Sequence, residues 1–295
     1  FRFAGIDLFL HWSWFLVAVF EINSRSGRYS SLTWNVLEYL ALFFIVMLHE
    51  YGHALACRQV GGRANQIVLW PLGGVAYVDP PPRPGATLWS IVAGPLVNVV
   101  LFPILTLLGL WSRSSGLALA MPNAHELLRT VWAINLGLLI FNMLPIYPLD
   151  GGQILRSLLW FVVGRARSLM AATIIGFIGV AGLIVFALWA HSIWFGILSV
   201  FILMNCWGGL RHAQVLSRIA KLPRHDGFAC PSCKTAPPVG NFWVCAQCRL
   251  GFDTFQTQAV CPGCATHFDV TKCLDCGRLH PMNDWLVPAF AAPKL

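Results

Sequence analysis

Long apolar runs constrain this chain more than anything else in it. A helix needs about 20 apolar residues to cross a bilayer core. Six runs approach or exceed that length, near residues 8–24, 35–57, 87–110, 127–148, 168–190 and 192–209, the first and last being marginal. Only 11% of the residues are charged, against roughly 25% in ordinary soluble domains. The expected fold is therefore a polytopic α-helical membrane protein with about six transmembrane helices. No small-residue cleavage site follows the first run, so that run is expected to stay in the chain. After the sixth run, "RHAQVLSRIAKLPRH" is basic and interrupted by Pro223. Beyond it the sequence turns polar and rich in cysteine. The expected organisation is a membrane part over 1–222, a small folded part over 223–280 and a tail over 281–295.

Lys and Arg accumulate on the cytosolic side of membrane proteins. With six spans both termini share one side. That side holds Arg2, Arg58, Arg63, Arg83, Arg156, Arg165, Arg167 and the basic residues of the C-terminal part; the other holds Arg25, Arg28, Arg113 and Arg129. Both termini are thus expected in the cytosol, and a prokaryotic host would place the chain in its plasma (inner) membrane. Residues 1–222 carry 14 Lys and Arg against 7 Asp and Glu, which suits the anionic headgroups of a lipid bilayer. Residues 223–295 carry 6 against 5, and no nucleic-acid partner is expected of so neutral a segment.

Within the second run, "FFIVMLHEYGHALA" sets His49, Glu50 and His53 among apolar residues. Residues four apart share one helix face, so His49 and His53 can offer imidazole nitrogens to one metal ion. Glu50 lies beside that face, within reach of a water molecule held there. The residue types fit the chemistry: neutral imidazole suits zinc, and zinc lowers the pKa of water to about 7. A span beginning near Val36 puts His49 about 20 Å along the axis. That is inside a hydrocarbon core about 30 Å thick. Ionisable groups at such depth are functional by default.

Catalytic zinc takes three protein ligands and keeps one position open. Asp150 is the only carboxylate in residues 127–167. It sits in "FNMLPIYPLDGGQ", where Pro145 and Pro148 break the helix and two glycines permit close approach. The second and fourth runs cross in the same direction, so both motifs reach the same leaflet. "HEYGH" followed by "NMLPIYPLDGG" resembles the site-2 protease family of intramembrane zinc metalloproteases, which pairs H-E-x-x-H with N-x-x-P-x-x-x-L-D-G. "GPLVN" (residues 94–98) is similar to the family's G-P-x-x-N, and "IDLFLHWS" to the opening of its compact prokaryotic members. The resemblance covers about residues 1–210. It implies His49, His53 and Asp150 as ligands of a catalytic zinc and Glu50 as the base. It also implies Asn98 close to the reaction, steadying its tetrahedral intermediate, and Asn142 and Pro145 as contacts to a transmembrane protein substrate.

A peptide bond in a helix is shielded by its own hydrogen bonds, so a substrate must be bound unwound. Two β-prone runs, residues 67–70 and 75–78, flank "PLGG". They read as a membrane-associated β-hairpin, whose edge can pair with an extended substrate; Val75 is the position expected to do so.

Eight of the ten cysteines form four C-x-x-C pairs: Cys230/Cys233, Cys245/Cys248, Cys261/Cys264 and Cys273/Cys276. Four thiolates hold one structural zinc, and the expected cytosolic side is reducing. Two structural zincs in a small β-rich cytosolic zinc-ribbon domain are expected. Pairs joined consecutively give two ribbons; an interleaved pairing, first with third and second with fourth, stays open. Near neutrality and the aromatic residues Phe242, Trp243, Phe252 and Phe255 point to a protein partner at the ribbons. Two other readings use the same residues: a zinc transporter and a non-catalytic membrane scaffold.

Overall fold

The computed structural model describes residues 2–24, 27–70 and 73–286. It divides into two compact units. The first runs to Gly209 apart from Arg165–Arg167; the second comprises Arg165–Arg167 and the chain from Leu210.

The first unit opens with strands β1 (Arg2–Phe3) and β2 (Ile6–Leu10) and a short helix α1 (Ser13–Ser24). The expected first span, 8–24, is thus divided. Ile6 and Leu8 are both buried, which is the period of a strand. The 12 residues of α1 reach about 18 Å, short of a bilayer core. Then come α2 (Leu32–Gln59), β3 (Arg63–Trp70), β4 (Gly73–Asp79), α3 (Pro84–Ser114), α4 (Leu117–Ala120), α5 (Pro122–Asn142), α6 (Asp150–Val163), α7 (Arg165–Trp189) and α8 (Ile193–Ala220). Five of these helices, α2, α3, α5, α7 and α8, are long and apolar enough to cross a membrane. Their most apolar stretches are only 11–28% buried within the protein. So much bare Leu, Val and Phe needs an apolar surrounding, and lipid supplies it.

The expected hairpin is present as β3 and β4, antiparallel with Val68 opposite Val75. It belongs to a larger sheet, in the order β1-β2-β3-β4, because β2 pairs with β3 in parallel, Leu8 opposite Ile67. Ile6, Leu8, Ile67 and Leu69 form a core with Tyr51, Ala54 and Cys57 of α2. The sheet is thereby fixed against the helix that carries the H-E-x-x-H motif.

Glycines set the close approaches around that motif. A Cβ on Gly52 would stand 2.6 Å from the Ala93 carbonyl, so α2 and α3 touch backbone to backbone there. A Cβ on Gly94 would fall 2.2 Å from His53 Nε2. After α5 the chain turns through residues 143–149 into α6, with Asp150 in its first turn, where a carboxylate meets the positive end of the helix dipole. Cβ atoms on Gly151 and Gly152 would lie 2.4 Å and 2.5 Å from the backbone of Met143 and Ile146. Only glycine lets α6 start so close to the turn before it. Ile146 and Tyr147 of that turn pack into a core with Val180 of α7 and Ile202 and Cys206 of α8. The last two helices therefore support the loop that delivers Asp150.

In the second unit, β5 (Trp243–Val244) pairs with β6 (Gly251–Phe252), β7 (Val270–Lys272) pairs with β8 (Leu279–Pro281), and a short 3-10 turn follows at Met282–Trp285. Trp285 is fully buried against Phe255, Cys230 and Cys273. The folded chain thus runs past 280: Trp285 belongs to the ribbon core, and Leu286, itself exposed, bridges to Phe228.

Replacing Gly151 with Ala forces a methyl group against main chain that cannot yield cheaply. Gly151→Ala should lose most of its bound metal and melt earlier in detergent. Gly109→Ala, where a Cβ meets nothing within 4 Å, should match the wild type in both. Metal analysis and a thermal-shift assay on purified protein check this.

Candidate metal centre

His49 and His53 lie one turn apart on α2, and both are buried. Their Nε2 atoms are 3.1 Å apart. Asp150 reaches in from α6, with Oδ2 3.0 Å from His49 Nε2 and Oδ1 3.4 Å from His53 Nε2. Donor atoms bound tetrahedrally at about 2.0–2.1 Å stand about 3.3–3.4 Å apart, close to this triangle. The three residues predicted from sequence to share a metal are thus brought together.

Hydrogen bonds behind the rings fix what the triangle contains. Asn135 Nδ2 donates to the Asn98 carbonyl (3.0 Å), an oxygen that can only accept. That orients the Asn135 amide, so its Oδ1 accepts from Asn98 Nδ2 (2.9 Å). Asn98 Oδ1 then faces His49 Nδ1 at 2.7 Å, and the imidazole must carry its proton there. His53 Nδ1 likewise donates to the Ser90 carbonyl (2.9 Å). A neutral imidazole protonated at Nδ1 has a bare lone pair at Nε2. Two bare nitrogens and a carboxylate at hydrogen-bond distance repel one another with nothing between them. A cation at their centre resolves the conflict, so the donor set fits a metal ion, and nitrogen with carboxylate oxygen fits zinc.

Asn98 lies behind the His49 ring. It is fully buried, and its amide faces the back of His49 and Asn135. Asn135 was not anticipated. Its signal was a lone amide in the apolar stretch "VWAINLGLL", and polar groups within spans are rarely idle. Asn142 ends α5 and Pro145 is an exposed residue of the turn leading to Asp150; both flank the ligand loop.

Glu50 is 6% exposed and its Oε2 accepts from the Ala76 N–H of β4 at 2.9 Å. A Cβ on Gly74 would stand 2.3 Å from Glu50 Cγ. Glu50 is thus seated against the edge strand. This contact also sets the parity of β4. The Ala76 amide points away from β3, so that of its neighbour Val75 points toward β3. Val75 is spent on its pairing with Val68, and the open edge belongs to Gly74 and Ala76. The expectation for Val75 moves to those two residues.

The eight ribbon cysteines form two clusters, Cys230, Cys233, Cys273 and Cys276, and Cys245, Cys248, Cys261 and Cys264. The pairing is nested, first with fourth and second with third, and neither of the arrangements expected from sequence. Sulfurs across the two clusters are 3.4–3.7 Å apart, far from a disulfide and close to the roughly 3.8 Å edge of a tetrahedral Cys₄ zinc site. Each pair makes the same turn. The N–H of Lys234, Arg249, Ala265 or Gly277 donates to the carbonyl of its pair's first cysteine, and all four residues have positive φ. The inner pairs close on the β5–β6 hairpin, which leaves the outer pairs to meet each other. Nearby, burial would raise the Asp253 carboxyl. Hydrogen bonds from the Gly240 N–H, the His225 ring and the Phe255 N–H outweigh burial and hold it below the usual carboxylate range.

The fold and this centre define a class: a helical membrane protein with a candidate His–His–Asp metal site and a buried carboxylate beside it. The sequence pattern of Peptidase family M50 matches residues 38–116 and 110–186, together about half the chain, and the chain belongs to that family, the site-2 proteases. A zinc metalloprotease of Methanocaldococcus jannaschii is 36% identical over 176 residues, 60% of this chain and 49% of that protein. The stage IV sporulation protein FB of Bacillus subtilis is 32% identical over 128 residues, 42% of this chain and 41% of that protein. The solved site-2 protease from Methanocaldococcus jannaschii superimposes with a TM-score of 0.53 at 29% identity, covering 71% of this chain and 93% of that one. The chain thus spans about half the length of these two sequence relatives. It is an integral membrane protein.

Two predictions follow from the hydrogen bonds and the nesting. Asn98→Asp keeps an acceptor for His49 but loses the donor to Asn135 Oδ1, so it should hold the metal less well than wild type and better than Asn98→Leu. Asn98→Leu and Asn135→Leu should weaken zinc binding about 10–100-fold, read by competition with a chromophoric chelator. Replacing Cys245 and Cys264 together with Ser should remove one zinc per chain. Consecutive ribbons would lose two, since the two residues would belong to different sites.

Proposed function

We propose that the chain is an intramembrane zinc metalloprotease that hydrolyses peptide bonds within or near the transmembrane segments of membrane proteins, as in regulated intramembrane proteolysis. The observation that carries this reading is the pair of imidazole Nε2 atoms aimed with Asp150 at one point in an apolar bundle, with Glu50 alongside. His49, His53 and Asp150 would hold the zinc. When bound, the metal supplies Lewis acidity and brings the pKa of water to about 7. Glu50 then takes the proton from the attacking water and passes it to the leaving amine. Asn98 and Asn135 keep the His49 ring in the required tautomer and orientation. The apolar helices limit bulk water around the site.

The edge of β4 at Gly74 and Ala76 is the proposed dock for an unwound substrate strand, next to the base that must act on it. Asn142 and Pro145, flanking the ligand loop, are proposed to touch the same segment. Both termini and the ribbons are proposed to be cytosolic. The ribbons are proposed to hold two structural zincs and a protein partner. A transporter needs a polar path, yet α2 offers only "LALFFIVML" over residues 40–48.

Glu50→Gln should keep the metal and lower cleavage by at least about 10²-fold, the range of general-base contributions. The test compares membrane-protein termini by mass spectrometry in cells carrying wild type or Glu50→Gln. New termini inside single-span segments should vanish in the variant; identical profiles from two well-expressed, zinc-loaded proteins count against the reading. Ala76→Pro removes the N–H that holds Glu50 and faces an added strand, and should abolish cleavage while His49, His53 and Asp150 keep their metal.

A further inference from the structure

The chain beyond α8 reads in sequence as a basic linker, but it is tied down. The Val239 N–H donates to the Pro223 carbonyl and the His225 N–H to the Pro237 carbonyl, so residues 223–225 run beside the ribbon. Arg224 carries the tie back to the helix. Its Nη2 donates to the Ile219 carbonyl in the last turn of α8 (2.9 Å) and its Nη1 to the Ala236 carbonyl (2.7 Å). The same two nitrogens fork onto Asp275, Nη1 to Oδ2 at 2.6 Å and Nη2 to Oδ1 at 3.1 Å. Arg165, the first residue of α7, donates to the Asp275 main-chain carbonyl. All these residues belong to the second unit.

A carbonyl in the last turn of a helix has no partner within that helix, and a cation there also meets the negative end of the dipole. Arg224 supplies both, provided its side chain is held in place. A fork onto a carboxylate is among the strongest of such holds. This one is shielded from water, the Arg224 and Asp275 side chains being 23% and 20% exposed. Asp275 depends in turn on a metal-binding segment. It lies between Cys273 and Cys276 of the outer cluster, which Cys230 and Cys233 complete. Of the residues enclosed by the four C-x-x-C pairs, it alone is charged. One hydrogen bond closes its turn, from the Gly277 N–H to the Cys273 carbonyl (2.8 Å); the rest of the closure comes from two sulfurs converging on one cluster. In ribbons this small a metal supplies much of the folding energy.

We propose that the outer cysteine cluster is a metal-dependent clamp on the end of α8. With zinc bound, the turn at 273–276 presents Asp275 to Arg224, and Arg224 fastens the Ile219 carbonyl. When that zinc leaves, the fork opens and the helix end frays. The inner cluster closes its own hairpin and has no such arm. The helix so fastened is the one whose Ile202 and Cys206 support the turn before Asp150. The clamp rests on the ribbons holding zinc and is independent of the proteolytic reading, because it uses neither the ligands of the catalytic metal nor Glu50.

The test follows amide hydrogen exchange at residues 219–222 in the full chain in nanodiscs, with zinc per chain counted by native mass spectrometry. Asp275→Ala should keep every zinc and exchange there about tenfold faster, the scale of a lost charge-assisted hydrogen bond. Arg224→Met, which leaves the ribbon sequence untouched, should do the same. Replacing Cys273 and Cys276 together with Ser should remove one zinc and speed exchange at least as much. Replacing Cys245 and Cys264 together with Ser should remove one zinc and leave residues 219–222 as in wild type. The clamp is overturned if Asp275→Ala and Arg224→Met exchange like wild type, or if the inner replacement speeds exchange as much as the outer one. It is overturned too if the outer replacement loses its zinc without faster exchange. An outer replacement that loses no zinc overturns the zinc reading of the ribbons and the clamp with it.

Discussion

The centre of this structure depends on two protons being where they are. Asn98 and the Ser90 carbonyl each hold a proton on the far side of a histidine ring. A neutral ring held in this way presents a bare nitrogen to its neighbour and to Asp150. In water that arrangement would relax. Within a buried bundle it persists only if something positive sits in the middle, because uncompensated polar groups are far more expensive there than at a surface. The site therefore suits a cation, and the order of its support runs from a backbone carbonyl through two asparagines to one imidazole.

The rest of the membrane unit holds that arrangement in place. Gly52 and Gly94 let α3 come close enough to back the histidines, and Gly151 and Gly152 let α6 begin against its own preceding turn. The sheet is anchored on α2 and leans its edge strand on Glu50. In the proposed reaction this places the docking edge and the base in one hydrogen bond. A strand that adds to Ala76 must engage the same amide that now holds Glu50, so binding and base positioning are coupled.

Much of this was legible in the sequence, for physical reasons. Spacing of four on a helix announces a shared face, so His49 and His53 were readable as partners. Asp150 stood out as a carboxylate beside two glycines, and "PLGG" between β-prone runs announced the hairpin. What was hidden depends on contacts between distant segments. Residues 8–24 look like a span by composition, but Leu8, Phe9 and Leu10 find a parallel partner in β3 that no local pattern reveals. The roles of Asn98 and Asn135 follow from which atoms face each other across α3 and α5. Strand parity, which moves the docking position from Val75 to its neighbours, needed the Ala76 contact. The nested cysteines have the same cause: four identical turns carry no information about which pairs meet, and only the fold of the intervening hairpin decides.

The most direct test of the account counts metal. Purified wild-type protein should carry zinc at three sites per chain, one for each ligand cluster. The double replacement of His49 and His53 with Ala should carry two, with the ribbons still folded by their own metal. An unchanged zinc content in that variant would contradict the centre of the account, since the two imidazoles would then hold no metal.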